Sequence, residues 1–131
     1  MDLKKAKNYK KLSAKQKAVI CDQETETPFT GELLYNKKSG EYNCAACESK
    51  IFKSENKFDS GSGWLSFDKA ISESVKIKKS QSNGMIRDEV SCSNCGAHLG
   101  HMFDDGPEET TGIRYCINSI SLNFIPNKTK K

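Results

Sequence analysis

Arginine is almost missing from this basic chain. Of its 21 basic residues only Arg87 and Arg114 are arginines, the rest being lysine. Proteins that read nucleic acid favour arginine and stacking aromatics. The net charge of +4 is therefore taken as a solubility feature, and no nucleic-acid partner is expected. Much of the lysine lies in "LKKAKNYKKLSAKQK" and "NKTKK", so residues 1–12 and 127–131 are expected to be solvated basic tails. No apolar run approaches the ~20 residues of a membrane helix. The charged N-terminus is not followed by the apolar stretch of a secretory signal, so a cytoplasmic setting is expected. Hydrophobic residues make up only 35% of the 131. That allows a single domain over residues 1–131 with a modest core, for which some further fastening would help.

Six cysteines in such a chain point to metal or redox chemistry rather than structural disulfides, because the expected compartment is reducing. Along the chain, "SAKQKAVICD" offers a capping box, Ser13 with Gln16, and a short helix to about Cys21. "TETPFTGELLYNKKSGEYNC", broken by Pro28, Gly31 and Gly40, is expected to run extended into a short strand ending near Cys44, and "SKIFKS", "VKIKKS" and "MIRDEVSC" read as short strands, the last two flanking a turn at "QSNG". "FDSGSGW" is a glycine-rich loop and "SFDKAISES" suggests one helical turn. "AHLGHMF" is strand-like up to Gly100, "DDGPEETTG" is a long turn, and "GIRYCINSISLNF" is the last strand. The sum is a mainly β domain with short helical pieces near its N-terminus.

Cys44-Ala-Ala-Cys47 and Cys92-Ser-Asn-Cys95-Gly96 are two Cys-x-x-Cys knuckles. That spacing lets two thiolates from one tight turn bind a single ion, and four thiolates select zinc or, less often, an iron–sulfur cluster. The alternative is a pair of independent redox motifs, but nothing here matches the βαβ setting of thioredoxin-like proteins. A closed four-thiolate zinc site has no open position, so its role is structural, and it would staple distant parts of a small domain.

Cys21 and Cys116 remain. A lone cysteine is by default a small buried hydrophobe, and Cys21 is read so on its own residues. Cys116 has different company. Arg114 and Asn118 share its parity on an extended strand, and a cation beside a thiol favours the thiolate and lowers the pKa. His98 and His101, the only histidines, have a spacing that puts them on opposite faces of a regular strand. If both serve one pocket, Gly100 should mark a bulge or the strand's end. Trp64, the only tryptophan, follows glycines on a loop, where an indole can wall a pocket for a small apolar group.

Together "TETPF", "YNCAAC", "KFDSGSGW", "VSCSNCGAHLGHMFDDGP" and "RYCINSISLNF" resemble, in order, the B-type methionine sulfoxide reductases, over about residues 12–126. These enzymes repair one epimer of oxidised methionine, here the R epimer. The resemblance implies two antiparallel β-sheets, with one structural zinc held by Cys44, Cys47, Cys92 and Cys95. It implies Cys116 as the nucleophile and Trp64, with Phe103, as the wall against the substrate's S-methyl group. His98 and His101 would position water and supply the hydrogen bond or proton for the sulfoxide oxygen, with Arg114 and Asn118 tuning the thiolate. The implied substrate is methionine-R-sulfoxide, free or in proteins, and the implied reductant is thioredoxin or another thiol. With no fused domain, a monomer is expected.

Two positions depart from the family pattern. Many members carry a resolving cysteine two residues before the tryptophan, where this chain has Ser62. Resolution then falls to Cys21 or to an external thiol, and Cys21 is the hypothesis. Leu65 stands where proline is common, leaving the loop freer and Trp64 less rigidly placed. A zinc-ribbon-like binding module would leave Cys116's neighbours unexplained. A reductase fold with lost activity is the other competing reading.

Overall fold

The computed structural model describes residues 3–22, 24–82 and 85–127. Helix α1 (Ala14–Ile20) begins where the capping box requires. The Gln16 amide donates to the Ser13 hydroxyl (3.1 Å) and the Ser13 amide to the Gln16 side chain (2.8 Å). Two orphan amides of the first turn are thereby satisfied. Among the described residues there are nine strands, β1 (Gly40–Cys44), β2 (Lys50–Lys53), β3 (Lys57–Phe58), β4 (Leu65–Phe67), β5 (Val75–Ser82), β6 (Met85–Cys92), β7 (His98–Phe103), β8 (Arg114–Ile117) and β9 (Leu122–Pro126). They form two antiparallel sheets, ordered β2-β1-β9 and β3-β4-β8-β7-β6-β5. The mainly β architecture of two antiparallel sheets is as expected.

Strand alternation assigns the faces. On β4 and β8, Leu65, Phe67, Tyr115 and Ile117 share one parity and Ser66 and Cys116 the other. The first set faces the smaller sheet. Phe67 stacks on Phe52 at 4.2 Å and meets Tyr42 edge-on at 5.2 Å, while Tyr115 tilts against Phe52 at 5.6 Å. Tyr42, Phe52 and Phe67 are fully buried and contribute roughly 2–3 kcal/mol each, and with the partly buried Tyr115 they clamp the two sheets together. The second set is left on the opposite face, where the polar chemistry lies.

Four local expectations are corrected. The segment after Trp64 is not a helical turn: Leu65–Phe67 is a strand inside the larger sheet, held by β8 on one side and β3 on the other. Strand β7 does not stop at Gly100 but continues to Phe103. The last strand is two strands: β8 ends at Ile117, a 3-10 turn spans Ser119–Ser121, and β9 belongs to the other sheet. Ile120, Leu122 and Phe124 therefore do not continue the face of Cys116. Lastly, residues 3–12 are not a solvated tail. Ala6 and Leu12 are buried, and the Asn8 amide donates to the Ala46 carbonyl (2.7 Å). Lys5, Lys7, Lys10 and Lys11 stay exposed while Ala6 and Leu12 join the buried core. Asn83 and Gly84 of the "QSNG" turn, and residues 128–131 of the C-terminal tail, lie outside the described residues.

Candidate functional site

The two knuckles fold alike. After each second cysteine the backbone enters the left-handed region, at Glu48 (φ 68°) and Gly96 (φ 83°). The amides of these residues donate to the Cys44 and Cys92 carbonyls, both at 2.8 Å. Glycine meets this geometry without strain and glutamate does not, which accounts for Gly96 but not for Glu48. The four sulfurs lie within 4.8 Å of one another, Cys44 being 3.7 Å from Cys95 and Cys47 3.6 Å from Cys92. A tetrahedral ion with thiolates at ~2.3 Å requires sulfurs about 3.8 Å apart, so the donor set fits zinc. Without a cation these thiols oppose one another. Hydrogen bonding from the Cys44 thiol pulls Cys92 down, and the same contact pushes Cys44 up. A divalent ion removes that conflict by holding all four as thiolates.

On the polar face, register places Glu89, His101, Cys116 and Ser66 directly opposite one another across β6, β7, β8 and β4. Neighbours in such a row have Cβ atoms about 5 Å apart. Close approach of β7 to β8 depends on Gly100. A Cβ there would collide with the Cys116 carbonyl oxygen and sit 2.9 Å from Ile117 Cα. The pairing of β6 with β7 slips between Val90 and Ser91, so that Val90 faces Gly100 and Ser91 faces His98. Of the bulge or strand end expected at Gly100, the structure has the bulge, one residue earlier, with Leu99 as its extra residue. It brings the two imidazoles together, ring centroids 5.5 Å apart.

Cys116 is half-buried, and burial pushes its thiol above the ordinary value of about 9. The Arg114 guanidinium and the Ser62 hydroxyl lie against the sulfur and pull the other way. The expected cation is present, but desolvation outweighs it, so the net shift is upward and not the downward one expected. Arg114 is itself held by Asp105 (2.8 and 3.3 Å) and lies over the Phe103 ring at 4.4 Å. Phe103 therefore meets the site through Arg114. The hydroxyls of Ser66, Ser60 and Ser62 form a hydrogen-bonded chain (2.6 and 2.8 Å) beside Cys116. Burial holds His101 at about 4, helped by Arg87 and His98, so its ring is neutral at neutral pH.

The family model of the SelR domain matches residues 12–126. The chain is 53% identical to a peptide methionine sulfoxide reductase MsrB of Methanosarcina barkeri (strain Fusaro), over 88% of this chain and 81% of that protein. The chain belongs to the SelR, or MsrB, family. A solved structure of a Mis18 "Yippee-like" domain aligns over 70% of this chain and all of that one, at 16% identity and a TM-score of 0.56. That likeness concerns the fold alone.

Two departures from the MsrB pattern acquire a structural setting. Leu65 is buried in β4 opposite Ile117, and the Trp64 indole N–H donates to the Glu26 carbonyl at 2.7 Å. The loop is thus fixed by a hydrogen bond and a strand rather than by proline. Gly63 adds to the hold, because a Cβ there would lie 2.7 Å from Pro28 Cβ. Ser62 lies close enough to Cys116 to draw its pKa down.

Sequence reasoning missed Glu26 and Glu89. The Glu26 amide donates to the Asn118 side chain (3.1 Å) and its carboxylate accepts from the Ser119 amide (2.8 Å). Asn118 also donates to the Leu99 carbonyl (3.2 Å), so these contacts join the end of β8 to the tryptophan clamp and to the bulge. Cys21, at the end of α1, is partly buried; the helix packs on β7 and on the 3-10 turn after β8. No described helix is long and apolar enough to cross a membrane.

Proposed function

We propose that the chain reduces methionine-R-sulfoxide to methionine, free or within oxidised proteins, with Cys116 as the nucleophile. The observation that carries this reading is the row in which Cys116 lies between His101 and Ser66, with Arg114 and Ser62 against its sulfur. Before substrate arrives, burial favours the thiol; as it loses its proton, Arg114 and Ser62 stabilise the thiolate. The thiolate attacks the sulfoxide sulfur, the S–O bond of the substrate breaks, and the oxygen passes to Cys116 with the proton the thiol gave up. Thiol and sulfoxide thus become sulfenic acid and thioether. A neutral His101 serves as a hydrogen-bond donor to the sulfoxide oxygen rather than as an imidazolium acid. Trp64, fixed by Glu26, and Phe103 under Arg114 offer the apolar wall for the S-methyl group, and Asn118 holds the end of the nucleophile's strand. His98, buried behind His101, acts on the polar side.

The sulfenic acid then condenses with a thiol, releasing water and leaving a disulfide. We assign that thiol to Cys21, supported by the packing of α1 on the elements that flank Cys116; an external thiol is the alternative. A thioredoxin-type dithiol restores the enzyme, in the cytoplasm and as a monomer, a reading supported by family resemblance and cysteine usage. Zinc bound by the four knuckle thiolates staples the fold and takes no part in the reaction. The test is turnover of a methionine-R-sulfoxide substrate with dithiothreitol, wild type beside Cys116→Ser. Turnover lost in the variant supports the proposal, and an inactive wild type rejects it.

A further inference from the structure

Among the described residues, Glu89 is the only carboxylate side chain in the buried set, 7% exposed, and His98 beside it is 2% exposed. His98 Nδ1 lies 2.8 Å from Glu89 Oε2. The two are not register partners; they meet because the bulge at Leu99 turns His98 towards β6. A carboxylate has no hydrogen to give, so Nδ1 must be the donor. With a single proton on the ring, that proton sits on Nδ1 and Nε2 keeps a bare lone pair. That atom is buried and has no hydrogen-bond partner among the described residues. A buried polar atom left in this way costs roughly 1–3 kcal/mol, so its retention calls for a use.

We propose that Glu89 is a positioning residue that fixes His98 in its Nδ1–H tautomer and so makes Nε2 an obligate hydrogen-bond acceptor. The inference rests on the reductase reading and divides the labour of the two histidines. A sulfoxide oxygen is only an acceptor and gains nothing from a bare Nε2. The hydrogen bond to that oxygen therefore comes from His101, which stands opposite Cys116. His98 instead is fitted to receive an O–H donor, such as that of a bound water. Its carbonyl is held by the Ser121 hydroxyl (3.0 Å), so ring and backbone are both anchored.

The test is nitrogen-15 NMR of the histidine rings in the zinc-loaded protein, read together with kinetics. In the wild type, His98 should show Nδ1 protonated and Nε2 bare. In Glu89→Leu, which cannot accept the hydrogen bond, the proton should redistribute towards Nε2. There kcat should fall ~10–100-fold, as when the partner orienting a functional histidine is removed, with KM within about twofold. Glu89→Gln keeps an acceptor oxygen, so it should retain the tautomer and recover most of kcat. A wild-type His98 protonated on Nε2, or on both nitrogens, overturns the proposal, as does Glu89→Leu with unchanged tautomer and turnover. If Glu89→Leu does not fold, the wild-type spectrum and Glu89→Gln still decide. The spectra need no substrate, so a failure of the reductase reading would be seen separately, as an inactive wild type.

Discussion

Replacing Gly100 by alanine should damage both the fold and the reaction, through one added methyl group. The Cβ would be driven into the Cys116 carbonyl oxygen and to within 2.9 Å of Ile117 Cα. Both are backbone atoms of β8, so no side chain can swing aside. Either β7 and β8 separate locally or the Cys116 segment shifts. Forced overpacking of this kind costs about 3 kcal/mol, the upper part of the usual range. For a domain of this size each kcal/mol is worth roughly 4 °C, so Tm should drop by about 12 °C. If Cys116 is the nucleophile proposed above, displacing it by a fraction of an ångström should also lower kcat by roughly tenfold or more, even well below the new Tm. Gly112→Ala is the control. Its Cβ meets nothing within 4 Å, but its φ is +73°. That substitution should cost only about 1–2 kcal/mol from the left-handed backbone, with turnover intact. Calorimetry and steady-state kinetics on both variants decide. A Gly100→Ala protein with wild-type Tm and kcat would refute the argument that strand contact positions Cys116.

Three further outcomes follow from the same geometry. Chelation or Cys95→Ser should unfold the domain, because structural zinc sites contribute about 10–16 kcal/mol against a typical total stability of about 5–15 kcal/mol; circular dichroism with metal analysis checks this, and a folded, active zinc-free protein would contradict it. Arg114→Leu removes a group that lowers the Cys116 pKa while burial keeps raising it. The thiolate fraction near neutral pH must then fall, so iodoacetamide alkylation at pH 7.5 should slow roughly tenfold and its pH profile move upward; an unchanged profile rejects the role. Mass spectrometry after one turnover should find a Cys21–Cys116 disulfide in the wild type, whereas a persistent sulfenic acid on Cys116 would exclude Cys21 as the resolving thiol.

Legibility in the sequence followed the range of each interaction. The capping box of α1 and the knuckle turns are local, and residues three apart suffice to specify them. Alternation in "GIRYC" separates the face of Cys116 from that of Tyr115, and it does so correctly. What alternation cannot give is where a strand changes sheet. The 3-10 turn at Ser119–Ser121 is anchored from far away, by the Glu26 carboxylate and by backbone partners, and nothing in "NSISL" announces it. The histidine spacing forecast a bulge or a strand end near Gly100, because two side chains of opposite parity can share a face only if the strand is broken in register, and the bulge is what formed. Its partner Glu89 was invisible for the same reason: the contact depends on a slip between β6 and β7 that involves both strands. The direction of the Cys116 shift was missed because a sequence names the neighbouring cation but not the depth of burial. The N-terminal segment was misjudged because its docking surface is made by Ala45 and Ala46, residues remote in sequence.

The central claim is that Cys116 attacks a sulfoxide. It is tested most directly by a single turnover of zinc-loaded protein with methionine-R-sulfoxide and no reductant, with methionine quantified per mole of protein. The account predicts about one equivalent of methionine from the wild type, oxidation located on Cys116, and none from Cys116→Ser. Methionine formed equally by the Cys116→Ser variant, or none formed by a folded wild type, would contradict it.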